Sequence, residues 1–204
     1  MKVKICGLNP SRDVQLCIDL GVNFLGFVFY TKSPRNVSLQ DIEILKTYNR
    51  LKSKFVAVTV NPANDFIENI VQKHFDYIQL HGAETKKRVE EIKSMGLKII
   101  KAIKIRNEND IGKYKEFESA DIILFDTPGM EKSIEFPKNL ISKLPKGDRF
   151  ALAGSISQNN IENIKKLGVT FCDLSSNLET DAKIGYKDHQ KIKRFIDKVN
   201  ELKN

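Results

Sequence analysis

Cysteine is scarce in this chain, and tryptophan is absent: 204 residues include three cysteines and no tryptophan. The thiols of Cys6, Cys17 and Cys172 lie far apart in the sequence and form no Cys-x-x-Cys pair. Disulfide frameworks and zinc sites need an even or closely spaced set of ligands, so this pattern favours neither. We therefore expect a reducing, cytoplasmic location and no metal site.

Long hydrophobic runs are also missing. No stretch approaches the roughly 18 apolar residues that a membrane-spanning helix requires, and the amino terminus lacks the apolar segment of a signal peptide. Hydrophobic residues make up 41% of the chain and charged residues 29%, which are ordinary values for a globular protein. We expect residues 1–204 to form a single domain with no membrane partner.

Arginine is the minor basic residue in a chain whose net charge is +8. The lysines are spread along the sequence and form no patch with interleaved aromatic residues, so the nucleic-acid signal is weak and we expect no nucleic-acid partner. Diffuse positive charge would attract a small anionic substrate. A lysine-rich solvated surface is the simpler explanation of the charge.

Apolar, β-rich runs alternate with segments of helical period along the whole chain. Strict alternation requires parallel strands with both faces covered. Eight runs favour a single closed (β/α)8 TIM barrel over a doubly wound open sheet, which usually has fewer strands. The predicted strands are 3–6, 24–29, 55–60, 77–80, 99–105, 122–125, 150–153 and 169–174, and the predicted helices are 12–20, 39–51, 65–74, 86–95, 108–118, 137–144, 158–167 and 188–202.

Residues typical of helix ends border several of these segments. Such starts are marked by serine or asparagine, and such ends by glycine. The predicted starts are Ser11, Ser38, Asn64, Asn107 and Ser157, and the predicted ends are Gly21, Gly96 and Gly168.

Active sites of barrels lie at the carboxyl ends of the strands, which directs attention to Cys6 and Asp126. Asp126 ends an apolar strand, where partial burial would favour a protonated carboxyl able to act as an acid; a capping role is the alternative. Cys6 ends the first strand and can act as a base where its surroundings favour the thiolate, whereas a buried filler is the alternative. An acid and a base across one barrel mouth indicate proton transfer on a small molecule.

Polar residues at other strand ends are candidates for substrate binding. Arg35 follows a proline-stiffened loop and could hold a carboxylate with its guanidinium, although an exposed arginine can simply be solvated. Gln79 and His81 share one face of the fourth strand and could bind polar groups. The ends of strands seven and eight commonly bind phosphate in barrels, so we expect a small anionic phosphorylated substrate there, at Gly154, Ser155, Ser175, Ser176 and Asn177.

The chain resembles the phosphoribosylanthranilate isomerase family of tryptophan biosynthesis nearly from end to end. No single tetrapeptide is decisive, but the order and spacing of the matching motifs are specific. They are Lys4-Ile5-Cys6-Gly7-Leu8, the segment 25–35, Val60-Asn61-Pro62, Gln79-Leu80-His81-Gly82, Ile100-Lys101-Ala102, Phe125-Asp126 and Asp173-Leu174-Ser175-Ser176.

The resemblance implies an Amadori rearrangement of N-(5-phosphoribosyl)anthranilate to 1-(2-carboxyphenylamino)-1-deoxyribulose 5-phosphate, without a cofactor. Asp126 would protonate the ring oxygen, and Cys6 would remove the proton from C2 of the sugar. Arg35 would hold the anthranilate carboxylate. The backbone amides near Gly154 and Ser175 would hold the phosphate. We expect the chain to be a monomer or a homodimer.

Three positions depart from the family pattern by replacing a glycine near the expected phosphate site. They are Glu131, Ser155 and Asn177. Asparagine tolerates a left-handed backbone and serine could add a donor, so two of the changes are expected to be mild. Glu131 would repel a phosphate unless it points to solvent, which is the orientation we expect.

The altered glycines leave rival functions open. One rival is another phosphosugar isomerase or epimerase, including the related two-substrate isomerase that also serves histidine biosynthesis; that enzyme usually has an aspartate where Cys6 stands. The other is a non-catalytic barrel or a basic nucleic-acid-binding protein that has drifted from its ancestor. The intact pair of Cys6 and Asp126 argues against the second rival.

The period of two along a strand adds an inference that is independent of the resemblance. If Cys6 points into the mouth, Lys4 points into the barrel one layer below. Asp173 lies below Ser175 in the same way, and the first and last strands of a closed barrel are neighbours. Because an interior lysine needs a partner, we predict a buried contact between Lys4 and Asp173, with Asp173 also close to substrate hydroxyls.

Overall fold

The computed structural model describes residues 1–127 and 136–202. Its parallel strands form a closed barrel in the order β1-β2-β3-β4-β5-β6-β7-β8, and β1 pairs with β8 to close it. The predicted TIM barrel is therefore confirmed. The strands are β1 Lys2–Cys6, β2 Phe24–Phe29, β3 Lys54–Thr59, β4 Tyr77–Leu80, β5 Lys98–Lys104, β6 Ile122–Asp126, β7 Phe150–Leu152 and β8 Phe171–Leu174.

Helical segments follow the strands in the predicted places but are mostly shorter than the periodic pattern. The α-helices are Val14–Asp19, Asp41–Lys46, Asn64–Phe66, Gln72–His74, Lys86–Ser94, Lys138–Ile141, Ile161–Lys166 and His189–Glu201. A π-helical turn, Ile67–Val71, joins two of them, and 3₁₀ segments cover Glu108–Phe117 and Ser176–Leu178. No helix within these described ranges is long and apolar enough to cross a membrane.

The segment after β5 is a 3₁₀ helix where the pattern predicted an ordinary one. Its apolar residues Ile111, Tyr114 and Phe117 are spaced by three, which matches the three residues per turn of a 3₁₀ helix. Asn107 begins the segment as predicted, because its side chain accepts a hydrogen bond from the amide of Asn109 and it forms a capping box with Asp110.

The other predicted helix boundaries have mixed outcomes. Gly21, Gly96 and Gly168 have positive φ angles of 70°, 84° and 86° just after their helices, as a glycine stop requires. Ser11 and Ser157 precede their helices by several residues, because turns intervene before Val14 and Ile161. These two predicted starts were therefore too early.

The barrel has an inner and an outer apolar layer, because successive strand residues point to opposite faces. On β1, Val3 and Ile5 pack outward against the helices, whereas Lys4 and Cys6 belong to the interior. The lower part of the inner layer, at the amino-terminal ends of the strands, is apolar. There the rings of Phe24 and Phe171 stack with their centroids 5.0 Å apart. Polar residues are concentrated above it, at the carboxyl ends of the strands.

Candidate active site

A cavity of about 910 Å³ opens at the carboxyl ends of the strands. Its position agrees with the direction that the barrel architecture predicts for an active site. Predicted site residues that line it are Cys6, Arg35, Gln79, His81, Asp126, Gly154, Asp173, Ser175 and Ser176. Ser155 and Asn177 belong to the same loops but do not line the cavity.

Cys6 ends β1 and is partly exposed at the cavity wall. The following residue, Gly7, has a φ of 72°, and a β-carbon there would lie 2.5 Å from Cδ of Arg35. On the other side, a β-carbon at Gly26 of β2 would lie 3.2 Å from Sγ of Cys6. The space that Gly7 leaves free is therefore occupied by the side chain of Arg35, and the space that Gly26 leaves free is bordered by the thiol of Cys6.

Lys4 lies one layer below Cys6, and its side chain is 1% exposed. Its Nζ atom donates to Oδ2 of Asp173 at 2.8 Å, across the β1–β8 pairing in which the two residues stand opposite each other. The predicted buried contact is confirmed. Within the described chain, Oδ1 of Asp173 is buried without a hydrogen-bond partner, in a residue that lines the cavity.

A second buried lysine, Lys187, approaches the same strand ends from the loop after β8. Its Nζ atom donates to the carbonyl of Ser175 at 3.0 Å and to Oε1 of Glu179 at 2.9 Å. Ser175 in turn donates from its hydroxyl to the carbonyl of Cys6 at 3.1 Å. Burial raises the pKa of Cys6, whereas the charges of Lys4 and Lys187 oppose that rise and so favour the thiolate.

Asp126 ends β6 and hydrogen-bonds to His81 through Oδ2, 3.1 Å from Nε2. The amide nitrogen of Gln79 lies 3.0 Å from Nδ1 of the same ring. The imidazole therefore bridges the two side chains, with Nδ1 towards Gln79 and Nε2 towards Asp126. Gln79 and His81 thus share a face as predicted, and together they orient the carboxyl group of Asp126.

Arg35 contacts Glu179, a residue that the sequence did not single out. Its Nε and Nη2 atoms donate to the two carboxylate oxygens at 2.5 and 2.9 Å, in a bidentate pair. Glu179 also accepts from Lys187 and from the amide of Gly185, and these contacts outweigh its burial and lower its pKa to about 2. The guanidinium therefore faces the cavity from a fixed position.

The opposite wall carries another buried ion pair. Lys101 of β5 donates to Oε2 of Glu84 at 2.7 Å and to the carbonyls of Leu80 and Gly82. Glu84 accepts from the amides of Asn61 and Gly82 through its other oxygen. We call Asn61, Gly82, Glu84 and Lys101 the Lys101 cluster.

The two predicted phosphate loops lie side by side, since Nδ2 of Asn177 donates to the carbonyl of Ile156 at 3.0 Å. Ser155 has a φ of 44° and Gly154 one of 104°, so serine occupies a left-handed position that suits glycine. Asn177 does not need the left-handed backbone that we invoked for it. It lies in the 3₁₀ segment Ser176–Leu178, where its side chain links the loops.

Part of the sixth loop lies outside the described residues. The prediction that Glu131 points to solvent concerns that part and stays untested.

Sequence reasoning missed four charged residues of this site: Glu84, Lys101, Glu179 and Lys187. Lys101 carried a usable signal, because a lysine inside the apolar run of β5 needs a buried partner. The other three lie in loops, where no periodic pattern reveals the direction of a side chain.

Cys17 and Cys172 are fully buried and free. Burial raises the pKa of each to about 12, so their thiols pack as apolar groups.

Comparisons with known proteins agree with this geometry. The family model described as N-(5'phosphoribosyl)anthranilate (PRA) isomerase matches residues 3–198. The N-(5'-phosphoribosyl)anthranilate isomerase of Petrotoga mobilis is 39% identical over 217 residues, covering 100% of this chain and 99% of that protein.

Solved structures give the same result. The phosphoribosyl anthranilate isomerase of Thermotoga maritima superposes with a TM-score of 0.86 at 28% identity, over 98% of this chain and 99% of that one. A phosphoribosyl anthranilate isomerase in complex with reduced 1-(o-carboxyphenylamino)-1-deoxyribulose 5-phosphate gives 0.83 at 27% identity, with the same coverage of both chains.

Proposed function

The chain belongs to the N-(5'-phosphoribosyl)anthranilate isomerase family, and from this membership we propose that Cys6 and Asp126 are the base and the acid of its reaction. The enzyme carries out the Amadori rearrangement of N-(5'-phosphoribosyl)anthranilate in tryptophan biosynthesis. The observation that carries the assignment is that the thiol and the carboxyl group line one cavity at the carboxyl ends of β1 and β6.

The first step opens the furanose ring. Asp126 gives a proton to the ring oxygen, the bond from that oxygen to C1 breaks, and the lone pair of the anthranilate nitrogen forms an iminium. His81 holds the acid in place at 3.1 Å. A positioned acid of this kind contributes typically about 10²–10⁴-fold to a rate.

The second step removes the proton from C2. The thiolate of Cys6 takes this proton, the C–H electron pair forms a C=C bond, and the iminium nitrogen accepts the displaced pair. The resulting enolamine then becomes the ketone as C1 gains a proton and the hydroxyl on C2 loses one. The iminium makes C2 acidic enough for a weak base, so the residues need no cofactor to carry out this step.

Substrate groups can be assigned to the polar side chains around the cavity. Arg35, fixed by Glu179, faces the anthranilate carboxylate, and the loops containing Gly154 and Ser176 receive the phosphate. Buried acceptor oxygens on Gln79 and Asp173 have no partner within the described residues and suit the sugar hydroxyls.

We also propose a domain organisation and a cellular location for the protein. We take residues 1–204 as a single catalytic domain, because the pairing of β1 with β8 closes the first and last strands into one barrel. A cytoplasmic location fits the three free cysteines, since a reducing compartment keeps the thiol of Cys6 available as a base.

Turnover by the purified protein tests the proposal. Loss of substrate fluorescence should be fast in the wild type, and Cys6→Ser and Asp126→Asn should each lower kcat by at least about 100-fold. Cys17→Ala removes a buried thiol away from the cavity and serves as the matched control, with kcat within about twofold of the wild type. Wild-type turnover in both site variants would refute the assignment.

A further inference from the structure

Lys4 is a buried cation, and its hydrogen bond to Asp173 uses one of the protons that its ammonium group can donate. An ammonium group has three protons to donate. Within the described residues, the one conventional hydrogen bond from Nζ of Lys4 goes to Asp173. Lys101, by comparison, donates to three protein oxygens from an equally buried position.

The thiol of Cys6 is another neighbour of the Lys4 ammonium. A β-carbon built on Gly26 would lie 3.1 Å from Nζ of Lys4 and 3.2 Å from Sγ of Cys6, so both atoms border the same small space. The positive charge of the ammonium and the negative charge of a thiolate at Cys6 favour each other. The absence of a side chain at Gly26 is what allows this approach.

We propose that Lys4 is a positioning residue whose buried ammonium, held by Asp173 below Cys6, stabilises the thiolate that removes the proton from C2. This inference rests on the proposed role of Cys6 as the base. Lys4 keeps all its protons through the reaction: the proton from C2 passes to Sγ of Cys6, and the negative charge on sulfur disappears as the proton arrives.

The charges that face Cys6 act on its thiolate in opposite directions. Burial disfavours the thiolate and raises the pKa of Cys6, and the charge of Asp173 acts in the same direction. Lys4 and, more weakly, Lys187 oppose both effects. Arg35 lies over the adjacent Gly7, and Asp126 is across the cavity.

Lys4 itself stays charged under working conditions. Burial alone would lower its pKa, but the carboxylate of Asp173 and the neighbouring Cys6 raise the pKa of Lys4 above its ordinary value. A cation is therefore present beneath the thiol throughout the neutral pH range.

Alkylation of native protein with iodoacetamide at a series of pH values measures the thiolate of Cys6 without turnover. Mass spectrometry of the peptide containing Cys6 gives the rate, while Cys17 and Cys172 are too deeply buried to react. Lys4→Met should move the alkylation midpoint up by at least about one pH unit, because the stabilising cation is gone. Asp173→Asn should move it down, because a destabilising anion is gone.

Three further variants make the test specific. The double variant Lys4→Met with Asp173→Asn buries no unpaired charge and should shift the midpoint up, by less than Lys4→Met alone. Lys4→Arg keeps the cation and should return the midpoint towards the wild-type value. Lys93→Met, a control that removes a lysine away from the cavity, paired with Asp121 at 2.7 Å, should leave the midpoint unchanged.

Turnover provides the second measurement. In folded Lys4→Met enzyme, the acidic limb of the kcat/KM profile should shift to higher pH by the same amount as the alkylation midpoint. Unchanged midpoints in Lys4→Met and Asp173→Asn would overturn the inference even if Cys6→Ser is inactive. Full turnover by Cys6→Ser would instead refute the proposed function and leave the measured coupling intact.

Discussion

Two clusters of buried charge face each other across the mouth of the barrel, and they differ in how completely their hydrogen bonds are satisfied. In the Lys101 cluster, the three protons of the ammonium and both oxygens of Glu84 have protein partners. We define the Cys6 cluster as Lys4, Cys6, Asp173, Glu179 and Lys187. Its thiol lines the cavity, and one buried carboxylate oxygen of Asp173 has no hydrogen-bond partner in the part of the chain that the structure describes. A closed network, in which every hydrogen-bonding group has a protein partner, holds backbone loops in place. An open network has groups without such partners, and these can bind a substrate.

Similar substitutions in the two clusters should therefore differ in their effect on Cys6. Loss of a charge from the closed cluster should reduce stability and leave Cys6 unaffected. Loss of a charge from the open cluster should change the reactivity of Cys6. The following predictions test that division, beginning with the largest expected effect.

Lys101→Met should lower the free energy of unfolding by about 3–5 kcal/mol, because it leaves the carboxylate of Glu84 buried and unpaired. Urea denaturation measures the change. Lys86→Met, at an exposed ion pair with Glu90 spaced at 3.9 Å, is the control and should cost less than about 0.5 kcal/mol. Adding Glu84→Gln to Lys101→Met should recover part of the loss. A cost below about 1 kcal/mol for Lys101→Met would contradict the structural role of this cluster.

Acidification should weaken the Cys6 cluster through Glu179. The pKa of this carboxyl group is lowered from 4.5 to about 2 in the folded protein. The ionised carboxylate therefore stabilises the folded protein fully above pH 4.5, and this stabilisation is lost as the pH falls towards 2. The difference in unfolding free energy between wild type and Glu179→Gln should therefore narrow by about 2 kcal/mol between pH 6 and pH 3.

Urea titrations of both proteins at each pH provide this comparison. A constant difference would show that Arg35 and Lys187 do not hold Glu179 in its ionised form.

The smallest expected effects are those of alanine substitutions at two glycines, Gly82 of the Lys101 cluster and Gly26 beside Cys6. A β-carbon at Gly82 would lie 2.6 Å from Oδ1 of Asn61 and 2.7 Å from Oε1 of Glu84, both fixed by hydrogen bonds to backbone amides. Gly82→Ala should therefore cost about 1–2 kcal/mol of stability. Gly26→Ala meets its neighbours at 3.1–3.2 Å, so it should cost less stability but lower the alkylation rate of Cys6.

Thermal unfolding and the iodoacetamide assay on the same samples separate the two glycine effects. If Gly82→Ala and Gly26→Ala changed the thermal stability equally and the alkylation rate of Cys6 equally, the two clusters would not differ in the way we infer.

The strands and the facing of their residues could be predicted from the sequence with little error. Alternation with a period of two placed Lys4 beneath Cys6 and opposite Asp173, and the structure confirms the contact at 2.8 Å. Helix lengths were less predictable, because turns and a 3₁₀ segment replaced parts of the periodic regions. The left-handed backbone of Ser155 could not be predicted from a serine as such. The one sign of it in the sequence was that the family usually has glycine at this position.

The sequence by itself determined a barrel of eight parallel strands, with Cys6 and Asp126 at the ends that form its mouth. Strand geometry is local and periodic, so each residue's face follows from its position. Only the tertiary structure decided that Glu179 fixes Arg35, that Lys187 approaches Ser175, and that Glu84 pairs with Lys101. Those partners meet where separate loops converge, and convergence depends on the packing of the whole barrel.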